Sequence, residues 1–251
     1  MARFCLAVDY CGVSDNSAQK PMPKVAKDMM RFSNAVVLVG AAPVAIKPLL
    51  TSLPEDLPLI AADGGASALL ALGKVPDVVI GDMDSLISRD ALPSSVELIH
   101  LKGQDDTDFE KCLARIEAPL IICLGFLEAR FDHSLAAIHA LMCLRHDRPV
   151  LLAGDTDVLL RLTGDVEVAL PLGSRISVWP LGRQSFESSV GLRWPLTGLE
   201  MAPGEMIGVS NEVSDTPVKI AATSGGDGYA LIAPVEMMGA VIAAVTDGVI
   251  A

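Results

Sequence analysis

The chain has 251 residues, with 19 Lys and Arg residues against 31 Asp and Glu residues, so its formal net charge at pH 7 is −12. Hydrophobic residues make up 51% of the chain, which excludes a disordered protein and is ample for a folded core. The shortage of basic residues argues against a protein that binds nucleic acid or an anionic membrane, because both need a positive surface. If such a chain handles phosphates, we expect metal ions and backbone amides to bind them.

The five cysteines are odd in number and include no Cys-x-x-Cys pair, which favours a reduced, cytoplasmic protein over a disulfide-linked one. No apolar stretch approaches the roughly 18 residues that a membrane-spanning helix needs. We therefore expect no membrane association.

Regular structure is predicted from residue 34, after an N-terminal extension (residues 1–33) of uncertain order. Short apolar segments that read as buried strands then alternate with helical segments, which predicts an α/β domain over residues 34–153. Its mainly parallel sheet is expected to carry helices on both faces, in three layers. The predicted strands are residues 35–40, 57–62, 78–80, 96–101, 119–124 and 150–152, and the predicted helices are residues 43–53, 66–72, 107–116 and 132–145.

The pattern changes after about residue 154, where short strand candidates follow one another with turns and no convincing helix between them. This is typical of a small β-sandwich or barrel, and we predict a β-sandwich domain over residues 154–251 with a C-terminal tail. The tail contains a short terminal helix at residues 237–245. The strand candidates are residues 166–170, 175–179, 187–190, 192–196, 206–209, 218–222 and 229–232.

Acidic residues follow several predicted strands of the α/β half. Asp82 and Asp84 come just after the third strand, and residues two apart in an extended chain project to the same side. Two adjacent carboxylates repel each other, so this pair suits a Mg²⁺ ion that bridges substrate phosphates, although a solvated acidic turn is an alternative. Asp63 and Gly64 end the second strand, where an anion site and an ordinary capped connection are both consistent with the sequence.

Two further polar segments follow strands of the same sheet. Thr107 and Asp108 begin a helix and could simply cap it, but together with the other strand-end acids they favour a shared metal site. Arg130 is suited to bind a phosphate through two hydrogen bonds, and Asp132 to bind a cation or accept a proton. His133 is either a catalytic group or a structural one.

Trp194 is one of only two tryptophans in an aromatic-poor chain. Its ring could stack on a heteroaromatic ligand, including a cationic one, although a tryptophan in a sandwich is often a core residue. Neither a Walker A motif nor a Rossmann fingerprint occurs in the chain.

Six motifs, in the same order over roughly residues 36–232, resemble the thiamine pyrophosphokinase family. Each is weak alone, but six in order across two domains form a specific resemblance. They are Ala62-Asp63-Gly64-Gly65-Ala66, Pro76-Asp77 with Gly81-Asp82-Met83-Asp84-Ser85, Thr107-Asp108-Phe109, Arg130-Phe131-Asp132-His133, Gly191-Leu192-Arg193-Trp194-Pro195-Leu196 and Ser210-Asn211-Glu212.

The resemblance implies transfer of the diphosphate of ATP to the hydroxyl of thiamine, with AMP released. It also implies a homodimer whose active site combines the α/β domain of one subunit with the sandwich of the other. The implied catalytic residues are Asp82, Asp84, Asp108, Arg130 and Asp132, with Mg²⁺ on Asp82, Asp84 and Asp108. Asp63, Gly64, Gln104, Thr107 and His133 are implied at the ATP site, and Trp194, Ser210 and Asn211 in the thiamine pocket.

The chain departs from the family at Glu128-Ala129, where the family usually has two glycines before the arginine. Two alternative functions therefore stay open at this point. One is a metal-dependent nucleotide-sugar transferase that uses Asp82 and Asp84 as a D-x-D pair. The other is a non-catalytic protein that binds thiamine or a pyrophosphate compound.

Overall fold

The computed structural model describes residues 29–42, 46–83, 92–101, 106–128, 130–144 and 146–246. Among these residues, no helix is long and apolar enough to cross a bilayer. The helices are α1 Ile46–Thr51, α2 Gly65–Ala71, α3 Asp108–Leu113, α4 Phe131–Cys143 and α5 Met238–Ala243. The strands are β1 Met30–Arg31, β2 Val36–Val39, β3 Leu59–Ala62, β4 Val78–Gly81, β5 Glu97–His100, β6 Ile116–Glu117, β7 Ile121–Leu124, β8 Val150–Ala153, β9 Asp157–Leu162, β10 Val166–Val168, β11 Arg175–Pro180, β12 Gln184–Val190, β13 Glu200–Met201, β14 Gly208–Glu212, β15 Val218–Ala222 and β16 Tyr229–Pro234.

Ten strands form one large sheet in the order β14-β11-β16-β9-β8-β7-β2-β3-β4-β5. Neighbours from β8 to β5 run parallel, and neighbours from β14 to β8 run antiparallel. The strands β2, β7 and β8 are buried at every residue, as expected for strands covered on both faces. The predicted mainly parallel sheet is confirmed.

Alternate residues of β2 belong to two separate cores, which shows the three layers. Val37 and Val39 pack in one apolar cluster with residues of α1 and α2. Val36 and Leu38 pack in the other cluster with residues of α3 and α4. The period of two along the strand therefore distributes its side chains between helices on opposite faces.

A second, antiparallel sheet has the order β10-β15-β12-β13 and covers the antiparallel half of the large sheet. The rings of Phe186 on β12 and Tyr229 on β16 meet edge to face, with their centroids 5.3 Å apart. The predicted antiparallel sandwich is present, but one of its two sheets continues the α/β sheet. The strand that joins the two halves, β9, has no counterpart among the predicted elements.

Two other predicted features differ from the structure. Residues 192–196 are not a strand, and their ladder is reduced to one isolated bridge between Leu192 and Val213. β1 lies within the predicted extension and pairs in parallel with β6, so the fold begins before residue 34. The division at residues 153 and 154 falls between β8 and β9, and it stays a prediction.

Candidate active site

Three acidic residues from separate strand ends lie together at the edge of the parallel sheet. Asp63 follows β3, Asp82 follows β4 and Asp108 begins α3. Each offers a carboxylate oxygen, and these oxygens lie within 4.8 Å of one another. A cluster of carboxylates at this spacing, with Asp63 buried, fits a hard divalent cation such as Mg²⁺. Asp84, the other expected ligand, lies outside the described residues.

The close approach of β3 and β4 depends on Gly81. Asp63 donates its backbone N–H to the carbonyl of Ile80 at 2.9 Å, which continues the ladder one residue past the strand. A Cβ on Gly81 would lie 2.7 Å from the Cβ of Asp63, closer than real Cβ contacts allow. Only glycine at this position therefore lets the first carboxylate of the cluster lie over the end of β4.

Lys111, which the sequence reasoning missed, lies within the acidic cluster. Its ammonium is 2.8 Å from Oδ1 of Asp108 and 3.9 Å from Oδ2 of Asp82, and its side chain is 9% exposed. Burial alone would lower the pKa of Lys111, but the carboxylates of Asp108, Asp82 and Asp63 outweigh it, and the pKa is raised. The ammonium is therefore charged at neutral pH and offsets part of the cluster's negative charge. Its i,i+3 spacing from Asp108 was the available sequence signal.

Thr107 is a helix cap in the structure. Its hydroxyl accepts from the backbone N–H of Glu110 at 3.2 Å, and the Glu110 carboxylate accepts from the backbone N–H of Thr107 at 2.8 Å. This capping box fixes the start of α3 and with it the position of Asp108. Gly64 is the N-cap of α2, beside Asp63. Gln104 lies outside the described residues.

Arg130 and Asp132 form an ion pair at the start of α4. The Arg130 guanidinium donates to the two Asp132 oxygens at 2.6 and 3.2 Å, and both side chains are about two-thirds exposed. The hydrogen bond from Arg130 lowers the pKa of the Asp132 carboxyl, which stays ionised and is a weak base while this pair lasts. His133 is exposed, and its backbone N–H donates to the carbonyl of Arg130 at 3.1 Å.

A cavity of about 780 Å³ connects the acidic cluster with the start of α4. Asp63, Asp108 and Arg130 line it, together with Asp132 and His133. Its apolar wall includes Phe109, which ends one of the six motifs, and Phe126, which the sequence did not single out; their ring centroids lie 4.4 Å apart. Its remaining lining residues are Gly40, Ala41, Ala42, Ala62, Gly64, Thr107, Gly125, Glu128, Ala136 and Ala137. The cavity combines an acidic end, an arginine and an apolar wall, as a nucleotide site requires.

Trp194 is fixed at the surface of the β-sandwich by Asn211. The buried Asn211 amide donates to the Trp194 carbonyl at 2.7 Å and accepts from the Trp194 backbone N–H at 3.1 Å. The Trp194 side chain is 54% exposed, and the Arg193 guanidinium lies over one face of its ring, 4.9 Å from the centroid. Ser210 is exposed, and its backbone N–H donates to the hydroxyl of Ser177 at 3.0 Å. Trp194 is therefore available as a stacking surface and not a core residue.

Left-handed backbone conformations mark the same regions. In the described part of the chain, four non-glycine residues have positive φ: Asp63 at 39°, Met83 at 65°, Glu128 at 70° and Ser210 at 56°. Residues with side chains rarely adopt this region, and such conformations cluster where a fixed geometry serves function. Each of the four lies in or directly beside a motif that the sequence reasoning selected.

Comparison with known proteins identifies the two halves. The family model described as "Thiamin pyrophosphokinase, catalytic domain" matches residues 54–152, and "Thiamin pyrophosphokinase, vitamin B1 binding domain" matches residues 165–225. The chain is 30% identical to "Thiamine pyrophosphokinase 1" of Oryza sativa subsp. japonica over 226 residues, which cover 74% of this chain and 86% of that protein. The chain belongs to the thiamine pyrophosphokinase family.

Other members of the thiamine pyrophosphokinase family agree with this result. "Thiamine pyrophosphokinase 1" of Arabidopsis thaliana is 31% identical over 189 residues, which cover 68% of this chain and 70% of that protein. The crystal structure of thiamin pyrophosphokinase from Geobacillus thermodenitrificans superposes with a TM-score of 0.66 at 22% identity, over 80% of this chain and 96% of that one. The acidic cluster falls within the catalytic match, and Trp194 and Asn211 fall within the vitamin B1 match.

Proposed function

We propose that this chain is a thiamine diphosphokinase, which transfers the diphosphate of ATP to the hydroxyl of thiamine and forms thiamine diphosphate and AMP. The observation that carries the proposal is the convergence of Asp63, Asp82 and Asp108, the first and last of which line the cavity, within the match to the family's catalytic domain. Diphosphate transfer depends mainly on positioning and charge neutralisation, and these residues are suited to both.

Asp82 and Asp108 would hold Mg²⁺ at the acidic end of the cavity, with Asp63 beside them and with Asp84 as a further ligand from the sequence. When bound there, Mg²⁺ supplies the positive charge that this acidic chain lacks and that the ATP phosphates need. The carboxylates fix the place of that charge, because Asp63 is held by the ladder of β4 and Asp108 by the capping box of α3.

Arg130 would neutralise charge that develops on the transferred phosphates, since its guanidinium lines the cavity and presents two donors on one side. Each phosphate contact that Arg130 makes weakens its pair with Asp132. The pKa of Asp132 then returns toward its ordinary range, which makes this carboxylate a better acceptor for the thiamine hydroxyl proton. Asp108 is the other candidate for that role.

The proposed thiamine residues and the acidic cluster of one chain lie far apart along the large sheet. Ser210 and Asn211 lie on β14, at one edge of the large sheet, whereas Asp63 follows β3, seven strands away. At ~4.8 Å per strand this separation is about 34 Å along the sheet. The separation supports a homodimer in which the sandwich of one subunit completes the cavity of the other.

Exposed apolar side chains beside the cavity and on the sandwich support the same arrangement. Phe131 and Leu135, one turn apart on α4 beside the cavity, are 78% and 51% exposed. On the sandwich, the exposed large apolar residues are Leu172, Val190, Trp194, Met206, Ile207 and Val209. One chain therefore exposes apolar side chains beside each of the two separated sites. A two-fold dimer with shared sites would bury both sets.

The cytoplasm is the compartment that we propose for this enzyme. Two described cysteines, Cys112 and Cys123, are buried free thiols. Burial raises the pKa of both buried thiols, which keeps them protonated and unreactive. Free core thiols are consistent with a reducing environment.

The test is an incubation of the purified protein with ATP, Mg²⁺ and thiamine, followed by chromatography for AMP and thiamine diphosphate. We expect both products in equal amounts, and a loss of about a hundredfold or more in the Asp82→Asn variant. Asp56→Asn, which changes an exposed acid in the turn before β3, is the matched control and should retain wild-type activity. Formation of AMP by Asp82→Asn at the wild-type rate would contradict the metal assignment.

The alternative functions are separated by this incubation together with a parallel one that contains a nucleotide sugar in place of ATP and thiamine. Turnover of a nucleotide sugar without AMP formation would favour the sugar transferase, and saturable thiamine binding without AMP would favour a non-catalytic binding protein. The vitamin B1 match and the exposed Trp194 disfavour a sugar transferase. The match to the family's catalytic domain, with its acidic cluster, disfavours a non-catalytic binding protein.

A further inference from the structure

The loop between β7 and α4 carries a carboxylate, Glu128, for which the proposed reaction has no role. Its backbone has φ of 70°, a conformation that glycine adopts freely and glutamate does not. Its side chain nevertheless lies on the cavity wall and has defined partners. Since glycine would adopt this backbone conformation more easily, the presence of glutamate indicates a role for its carboxylate.

The Glu128 carboxylate binds the turn between β8 and β9. Its Oε1 accepts from the backbone N–H of Asp155 at 2.8 Å and from the hydroxyl of Thr156 at 3.2 Å. A Cβ on Gly154 would lie 2.6 Å from this oxygen, so glycine at that position leaves room for the carboxylate. The turn is held from its other side as well, because the Val235 N–H donates to the Thr156 carbonyl at 3.0 Å.

The backbone of Glu128 is linked to the backbone of Arg130 through the hydroxyl of Ser134. The backbone N–H of Glu128 donates to Oγ of Ser134 at 2.9 Å, and the same hydroxyl lies 3.5 Å from the carbonyl of Arg130, which also accepts from the Ser134 N–H at 3.2 Å. A chain of contacts therefore runs from the β8–β9 turn through Glu128 and Ser134 to the backbone of Arg130. The turn joins two paired strands of the large sheet, whereas Arg130 is at the exposed mouth of the cavity.

We propose that Glu128 is a positioning residue for ATP: its carboxylate fastens the loop before α4 to the β8–β9 turn and thereby fixes Arg130 at the cavity mouth. The inference rests on the proposed function, since Arg130 acts there on the phosphates. Because the two hydrogen bonds are made by an acceptor oxygen, a glutamine can make them and a glycine cannot.

Glu128→Gly removes the acceptor without adding backbone strain, and Glu128→Gln retains an acceptor oxygen. We expect the KM for ATP to rise about five- to tenfold in Glu128→Gly, with the KM for thiamine unchanged and with Glu128→Gln close to wild type. Amide hydrogen exchange at Asp155 should accelerate in the glycine variant only. Glu167→Gln on β10, a remote exposed acid, is the control.

Thr156→Val gives a second measurement if the glycine variant folds poorly, and a smaller rise in the KM for ATP is expected from it. Unchanged KM values in both variants of an active enzyme would overturn the positioning role, as would a glutamine variant as impaired as the glycine one. A wild-type protein that forms no thiamine diphosphate would instead contradict the proposed function. In that case faster Asp155 exchange and weaker binding of ATP in Glu128→Gly would still support the role of Glu128.

Discussion

Lys111 sets the charge balance of the acidic cluster in the absence of a metal ion. It lies between Asp108 and Asp82, and removal of a largely buried ammonium leaves carboxylates that repel one another. The same carboxylates are the proposed ligands of Mg²⁺. Lys111 and a cation therefore stabilise the same three side chains, so loss of one should increase the effect of the other.

We predict that Lys111→Met lowers the free energy of unfolding of the metal-free protein by about 2 kcal/mol, which corresponds to a Tm lower by about 4–8 °C. Addition of Mg²⁺ should recover more stability in this variant than in the wild type, as measured by thermal unfolding with EDTA or with Mg²⁺. Lys74→Met, which removes an exposed ammonium 3.8 Å from Glu55, should show neither effect. An equal response of Lys111→Met and the wild type to Mg²⁺ would argue against this role.

Strand-end residues of the site were predictable because the carboxyl ends of parallel strands share one edge of a sheet. Asp63 and Asp82 each follow an apolar segment that forms a strand, and Asp108 lies at the start of a predicted helix. The burial of Lys111 was not predictable in the same way, because a lysine inside a helix usually faces solvent. Its spacing from Asp108 indicated an ion pair but not a buried one.

At the scale of elements, the end of α4 is held by a buried arginine on β9. Arg161 is 2% exposed and donates to the carbonyls of Leu141 at 3.1 Å, Leu144 at 3.2 Å and His146 at 2.9 Å. These are carbonyls at and beyond the helix end, where the regular hydrogen bonds within the helix run out. Arg161 interrupts an apolar segment, so the sequence did not indicate β9 as a buried strand. Its hydrogen bonds to the end of α4 explain why an arginine occupies this position.

His146, in the connection after α4, should make stability depend on pH. Burial, with the nearby charges of Arg148 and Arg161, lowers its pKa from 6.5 to about 4. Between these values the unfolded chain binds a proton at His146 and the folded chain does not, so the free energy of unfolding falls as the pH falls. Discounted for partial exposure of the ring, the loss is about 1 kcal/mol between pH 7.5 and pH 5.

Urea unfolding at pH 7.5 and pH 5 measures this loss in the wild type and in His146→Gln. We predict that the variant loses about 1 kcal/mol less than the wild type over this interval, because glutamine does not titrate. His139→Gln, in an exposed position on α4, should leave the pH dependence unchanged. Identical pH dependence in His146→Gln and the wild type would show that other groups cause it.

The predicted strand at residues 192–196 illustrates why part of the second site could not be predicted. Gly191 has φ of 82°, and a Cβ there would lie 2.5 Å from the carbonyl of Asp215, so the chain turns away from the ladder at this point. Trp194 then depends on Asn211, 17 residues later, for its backbone hydrogen bonds. Alternating apolar residues indicated a strand, but tertiary contacts decided the conformation.

At the scale of the whole molecule, the continuous sheet separates the two sites by about 34 Å and makes shared sites testable by mixing two inactive chains. Asp82→Asn damages the ATP site of its own chain, and Trp194→Ala damages the thiamine site that its chain gives to the partner. In a mixed dimer one site then combines both changes, and the other contains neither. Random assortment makes half of the dimers mixed, so activity should recover to about one quarter of wild type.

The experiment uses co-expression of the two variants with different tags and purification of the mixed species, followed by the AMP assay. Each variant alone should remain nearly inactive, and the purified mixed dimer should have about half the wild-type activity per dimer. Co-expression of Asp82→Asn with Arg130→Ala is the informative control, because both changes affect the same half and the mixed dimer then has no intact site. No recovery in the first pair would mean that each chain completes its own site, which the order of strands in the sheet opposes. Recovery in the control would mean that Asp82 and Arg130 of different chains serve one site.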